Sequence, residues 1–163
     1  EQNKEVNVDE LVKEAESEEN QNVEMHTAPS GDQYYTASIV NIPKLNINYP
    51  VLNKTTDELL KISPCKFWGP DANEEGNYCI VGHNYRNKKF FSKVPTLENG
   101  DIIEITDLTG RMIKYSVYKK YVVNPEDVSC TSQITNGRKE ITLITCTNDS
   151  KQRVIVKAAE LKN

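Results

Sequence analysis

The sequence predicts a mainly β domain, a closed barrel or a sandwich, with a few short helices. Two observations carry this expectation. Between Tyr35 and Ala158 the chain divides into six to eight short runs rich in Val, Ile, Thr and Tyr, bounded by Pro, Gly, Asn or Asp. With 163 residues, 37% of them hydrophobic, the chain suffices for one core and is free of low-complexity tracts and of 20–50-residue repeats.

The elements follow in order. Val8, Leu11, Val12 and Ala15 form a short apolar stripe at helical spacing, and Asn7 with Glu10 resembles a capping box, so a helix is expected over about 8–18. The acidity of this helix and the polar sequel through Gly31 read as a solvated tether. A lid over a functional site is the sharper alternative. The expected organisation is therefore a tether or lid over 1–33 and a folded domain over 34–163. Tyr35–Val40 and Ile47–Leu52 read as strands separated by Pro43. Thr55 and Glu58 frame a capping box before a short helix, and 63–77 reads as a loop in which Trp68 is expected to pack. Tyr78–His83 is a buried strand, and Phe90, Phe91 and Val94 suggest one helical turn on the core. Asp101–Thr106 and Met112–Val123 read as a strand pair around a Leu108-Thr109-Gly110 turn. Pro125–Val128 is a short turn or 3₁₀ segment, and Lys139–Thr147 and Arg153–Ala158 are the last two strands.

Charge narrows the function classes. Residues 1–24 hold nine acidic and two basic side chains, net −7, which leaves +3 for the rest of a chain of net charge −4. That surplus, without clustering, is no nucleic-acid footprint. No run approaches the ~18 apolar residues of a membrane span. No signal peptide is visible, and the missing initiator Met suggests a trimmed chain. The four cysteines, Cys65, Cys79, Cys130 and Cys146, contain no C-x-x-C pair, which argues against a zinc ribbon or a thioredoxin motif. A Cys65–Cys79 disulfide in an oxidising compartment and two unpaired thiols both remain open.

Cys146 ends one β-branched run and Arg153 opens the next. A thiol at a strand end is fixed in position yet accessible, and a guanidinium beside it supplies charge and several donors. Such a pair can attack a carbonyl and hold the oxyanion. The proton carrier must be a histidine, and of His26 and His83 only His83 closes an apolar strand. Cys146, His83 and Arg153 are thus the candidate catalytic residues.

These residues carry a family resemblance. Thr142-Leu143-Ile144-Thr145-Cys146 resembles the T-L-x-T-C signature of sortases, with Arg153 where those enzymes carry an arginine and Gly82-His83 similar to their G-H motif. Ile42-Pro43-Lys44, Tyr49-Pro50-Val51, Phe90-Phe91 and Gly100-Asp101 extend the likeness over about 36–160. The resemblance implies an eight-stranded β-barrel and a membrane-tethered cysteine transpeptidase of Gram-positive bacteria. Its substrates would be secreted proteins with a C-terminal sorting signal of L-P-x-T-G type, cut between Thr and Gly. The thioacyl enzyme would pass the protein to an amine of a cell-wall precursor or a pilin. His83 would act as general acid and then base, Arg153 would hold carbonyls or the oxyanion, and Thr145 would orient substrate or Arg153. The implied location is the outer face of the cell membrane, through a tether preceding this chain.

No cofactor is needed for that chemistry. Asp71, Glu74 and Glu75 lie where some sortases bind calcium, but they form no discernible cage, so calcium activation is not expected. The short 123–139 connection leaves no room for the long inserted helix of class B enzymes, and 1–33 lacks the Asp-Pro-aromatic lid motif of pilin-polymerising sortases. This points to a compact class A-, D- or E-like enzyme. Competing readings are a cysteine hydrolase with water as acceptor, a non-catalytic β-barrel binding module, and a zinc site from Cys65, Cys79, His83 and Cys146, whose spacings match no common pattern.

Overall fold

The structure, a computed structural model, describes residues 24–84, 90–147 and 150–161. The helix expected over 8–18 lies outside these residues. The described part of the N-terminal segment forms a small antiparallel hairpin, β1 (His26–Thr27) and β2 (Gln33–Tyr34). It is anchored rather than solvated. Ala28 and Tyr34 are buried against Leu52, Leu59 and Cys65, and the ring of His26 stacks on Tyr34 at 5.4 Å.

Eight strands close a barrel: β3 (Thr36–Ile42), β4 (Ile47–Leu52), β5 (Cys65–Trp68), β6 (Gly76–Val81), β7 (Ile102–Thr106), β8 (Met112–Val123), β9 (Lys139–Cys146) and β10 (Arg153–Glu160). Their order around the barrel is β10-β8-β7-β3-β4-β5-β6-β9, and β9 returns to β10. Pairing is antiparallel except for β4 with β5 and β6 with β9. Alternate side chains fill the interior, among them Val40, Ile80, Ile105, Tyr115, Leu143 and Val156. Each buried aliphatic side chain there contributes about 1.5–3 kcal/mol.

The outer face of β6, β9 and β10 is covered as well, by the 124–138 connection. Lys157 donates to the Cys130 carbonyl at 2.9 Å, and Asn77 donates to the carbonyls of Cys130 and Ser132. Cys79, Cys130, Ile144 and Ile155 form a second apolar cluster beneath it. Covering both faces explains why β9 reads as a near-continuous apolar run.

Three local expectations are corrected. Cys65–Trp68, expected within a loop, is a strand antiparallel to β6 with a bulge between Lys66 and Trp68. The helix α1 (Asp57–Leu60) is capped by Thr56, whose hydroxyl accepts from the Leu59 amide at 3.0 Å, while Thr55 donates to the Lys66 carbonyl. The helical turn expected at Phe90, Phe91 and Val94 is a 3₁₀ segment over Val94–Thr96, and the 3₁₀ segment expected over Pro125–Val128 lies just after it, at Ser129–Thr131. Phe91 itself is fully buried in the core, as expected.

Candidate active site

The site is built by strand register. β9 and β10 are antiparallel neighbours, and Cys146 is directly paired with Arg153. The turn between them is held by the Thr147 amide donating to the Gln152 carbonyl at 2.9 Å. Both side chains are half-buried. Arg153 is aimed along the turn, with Nη1 donating to the Gln152 carbonyl at 3.3 Å.

β6 runs parallel to β9 with Val81 opposite Ile144, and the Gly82 amide extends the ladder to the Ile144 carbonyl at 3.0 Å. Cys146 stands two residues further along β9, and His83 two residues past the end of β6. The same sheet edge therefore presents His83, Cys146 and Arg153 in one row. Phe91 fixes this edge, donating its amide to the His83 carbonyl at 3.0 Å. A Cβ at residue 82 would lie 2.6 Å from Phe91 Cδ2, so only glycine admits the ring. Asn84 donates from Nδ2 to the Cys146 carbonyl at 2.9 Å, tying the histidine loop to the cysteine strand.

Electrostatics differentiates the thiols and sets the histidine. Burial pushes Cys65 and Cys79 up to about 12 and raises Cys130, which makes all three inert as nucleophiles. Cys146 is the half-buried member of four free thiols. Cys65 and Cys79 belong to different apolar clusters and are not bridged. Among the described residues no three His, Cys, Asp or Glu side chains converge on a metal-sized site, so the zinc set has no geometric support. Asp71 faces Lys66 at 3.8 Å and Glu74 faces Arg111 at 3.8 Å. His83 is held below its ordinary pKa, mainly by burial; Asp57 opposes that shift and Lys61 adds to it.

The structure does not bring Thr145 to this row. Its partner across the ladder is Val154, a core residue, so alternation turns the Thr145 side chain inward. It is 1% exposed, and its hydroxyl finds no partner among the described residues.

Below the row lies a cavity of ≈130 Å³ lined by Val81, Ile144, Arg153, Ile155, Val128 and Phe67, with Pro125, Asp127 and Cys130 at its wall. Val81 and Ile144 stand two residues before His83 and Cys146, and Ile155 two after Arg153, so strand alternation alone would have found them. Asn84 carried no sequence signal beyond following the histidine.

The sortase family profile, described as a sortase domain, matches residues 40–161. The chain belongs to the sortase family. The match includes His83, Cys146 and Arg153. Sortase A of Bacillus anthracis is 30% identical over 120 residues, which cover 72% of this chain and 56% of the relative, so the chain spans just over half of that protein's length. Among solved structures, a sortase D5 transpeptidase from Clostridium perfringens matches with TM-score 0.71 and 30% identity, covering 78% of this chain and 79% of that one. A lid mutant of sortase A from Corynebacterium diphtheriae matches with TM-score 0.72 and 25% identity, over 83% of this chain and 75% of that one. Sortase C-1 of Actinomyces oris shares the fold, with TM-score 0.70 at 23% identity over 77% and 74% of the two chains. The closed eight-stranded barrel expected from the sequence is thus a sortase barrel, common to enzymes named A, C and D.

Proposed function

We propose that this sortase is a cysteine transpeptidase acting on secreted proteins with a C-terminal sorting signal of L-P-x-T-G type. The observation that carries the reading is the row His83–Cys146–Arg153, set by the β6–β9 and β9–β10 registers. The Cys146 thiolate adds to the carbonyl carbon of the signal's Thr. Arg153 donates to the oxyanion. As the tetrahedral adduct collapses, the C–N bond breaks and the His83 imidazolium gives its proton to the leaving amine of Gly. Neutral His83 then takes a proton from an incoming amine, which attacks the thioester and expels Cys146 as thiolate. The acceptor is a cell-wall precursor or a pilin lysine, at the outer face of the membrane and with a tether ahead of this chain.

His83 carries a proton to the leaving amine and regains one from the incoming amine, and Arg153 supplies the positive charge, so the proposed cycle calls on no cofactor, and calcium is expected to change turnover little. The ≈130 Å³ cavity between Arg153 and Val128, walled mostly by Phe67, Val81, Ile144 and Ile155, suits the signal's leucine. Thr145 enters as a support beneath the row rather than a substrate contact.

The test is cleavage of a fluorogenic sorting-signal peptide, with and without an added amine. Cys146→Ala should abolish cleavage while the fold persists, and the amine should appear in the product. Undiminished cleavage by the variant would remove Cys146 from the mechanism. A hydrolysed product alone, at saturating amine, would favour a hydrolase.

A further inference from the structure

We propose that the open groove beside the catalytic cavity, floored by Trp68, binds the part of the substrate that precedes the sorting signal and selects there an apolar or aromatic residue next to an acidic one. This deepens the transpeptidase reading and rests on it.

Trp68 is 60% exposed and Phe67 41% exposed, adjacent on β5, where the sequence led one to expect packing. Neighbouring large apolar side chains held in water mark a contact surface. They are held firmly. The bulge between Lys66 and Trp68 re-aims the strand. Gly69 follows at φ +101°, with the Asn77 carbonyl 2.1 Å from where a Cβ would stand. Gln133 closes the rim by accepting from the Asn77 amide and donating to its carbonyl, both at 2.8 Å.

The groove is a continuation of the active-site cavity. Phe67 lines both: on one side it faces Ile144 and Arg153, on the other a space of ≈720 Å³ bounded by Lys54, Lys66, Trp68 and Gln133. Direction follows from the chemistry. The leaving amine must lie toward His83, which protonates it. The acyl side must lie toward Arg153, which lines the cavity as His83 does not. A chain traced back from the acyl carbon through the cavity therefore leaves it past Phe67 and over Trp68. Lys54 and Lys66 line the groove; Lys66 already meets Asp71 at 3.8 Å, so Lys54 is the cation that favours an acidic neighbour.

The experiment uses two peptides with one sorting signal, the first beginning at its Leu, the second preceded by four residues that include Phe and Asp. Wild type should turn over the longer peptide about three- to ten-fold better in kcat/KM, through KM, the worth of one aromatic contact. Trp68→Ala should erase that advantage and leave the shorter peptide unaffected. Equal turnover of the two peptides by wild type overturns the proposal, and so does an equal loss on both in the variant. Sedimentation showing a concentration-dependent dimer that Trp68→Ala dissolves would assign the surface to a second copy and overturn it too. Cleavage of neither peptide would remove the transpeptidase reading, and this proposal with it.

Discussion

Replacing Arg153 by lysine separates two roles the geometry permits. Arg153 is paired with Cys146 across adjacent antiparallel strands, where opposite Cα atoms lie about 4.5–5.5 Å apart. A unit charge on the neighbouring strand, at an effective dielectric of about 20 and a separation of about 4–8 Å, is worth roughly 2–4 kcal/mol to the thiolate. Lysine keeps that charge, so if charge alone matters, most of the stabilisation survives. The guanidinium also offers a planar set of donors, with Nη1 already oriented by the Gln152 carbonyl. Lysine loses that set. Loss of one oxyanion donor costs about 10²–10³ in kcat, or roughly 3–4 kcal/mol. The two roles are of similar size but respond oppositely to the substitution. The assay is peptide turnover across pH for wild type, Arg153→Lys and Arg153→Ala, with the alkylation rate of Cys146 followed in parallel. The donor role requires Arg153→Lys to lose two to three orders of magnitude, with an alkylation profile like wild type. Turnover near wild type in the lysine variant would refute it and leave Arg153 as an electrostatic helper.

Asp57→Asn should lower the His83 pKa further, since Asp57 opposes the downward shift; histidine NMR reads the change. Above that pKa, kcat/KM should fall in proportion to the imidazolium lost, about tenfold per pKa unit, and turnover unmoved by a measured shift would take His83 out of the general-acid role. Thr145→Val keeps the shape and removes a buried hydroxyl that has no partner among the described residues, so thermal stability should hold or rise by about 1 kcal/mol. Turnover falling tenfold in that stable variant would show that the hydroxyl serves the site after all. Asn73→Ala should cost about 1–3 kcal/mol in denaturant melts, because its amide donates to the Ile105 and Arg111 carbonyls and to Asp107 at a backbone φ of 65°. Deleting residues 1–23 should leave peptide turnover within a few-fold; a large rise would show that the segment acts as a lid.

What was legible in the sequence was what local chemistry decides. β9 and β10 announced themselves through β-branched runs, and the short loop between them makes Cys146 and Arg153 neighbours in any antiparallel pair. β5 was not legible. Cys65–Trp68 is short, sits between Pro64 and Gly69-Pro70, and becomes a strand through its partner β6. Trp68 was misjudged for a related reason: the bulge turns outward a residue whose size argues for burial. The β1–β2 hairpin lay hidden in polar composition, since Ala28 and Tyr34 are its buried apolar anchors and two buried residues make no periodicity. The inward face of Thr145, by contrast, was available from the period of two, because Cys146 must face outward to meet a substrate.

His83 is the member of the row that no local rule could place. It reaches Cys146 because β6 and β9 pair in parallel, though 57 residues separate the ends Val81 and Lys139 of the two strands in sequence, and that pairing exists only once the barrel closes. It is also the register most exposed to error, since a slip of one residue turns every side chain of a strand to the other face. Gly82 and Phe91 guard against it. The ring fills the place of the missing Cβ while the Phe91 amide holds the His83 carbonyl, so both sides of the histidine are fixed by one residue. The G-H and F-F motifs are therefore a single device, split by the loop between them. A substitution at Gly82 acts on the catalytic row first and on the core second.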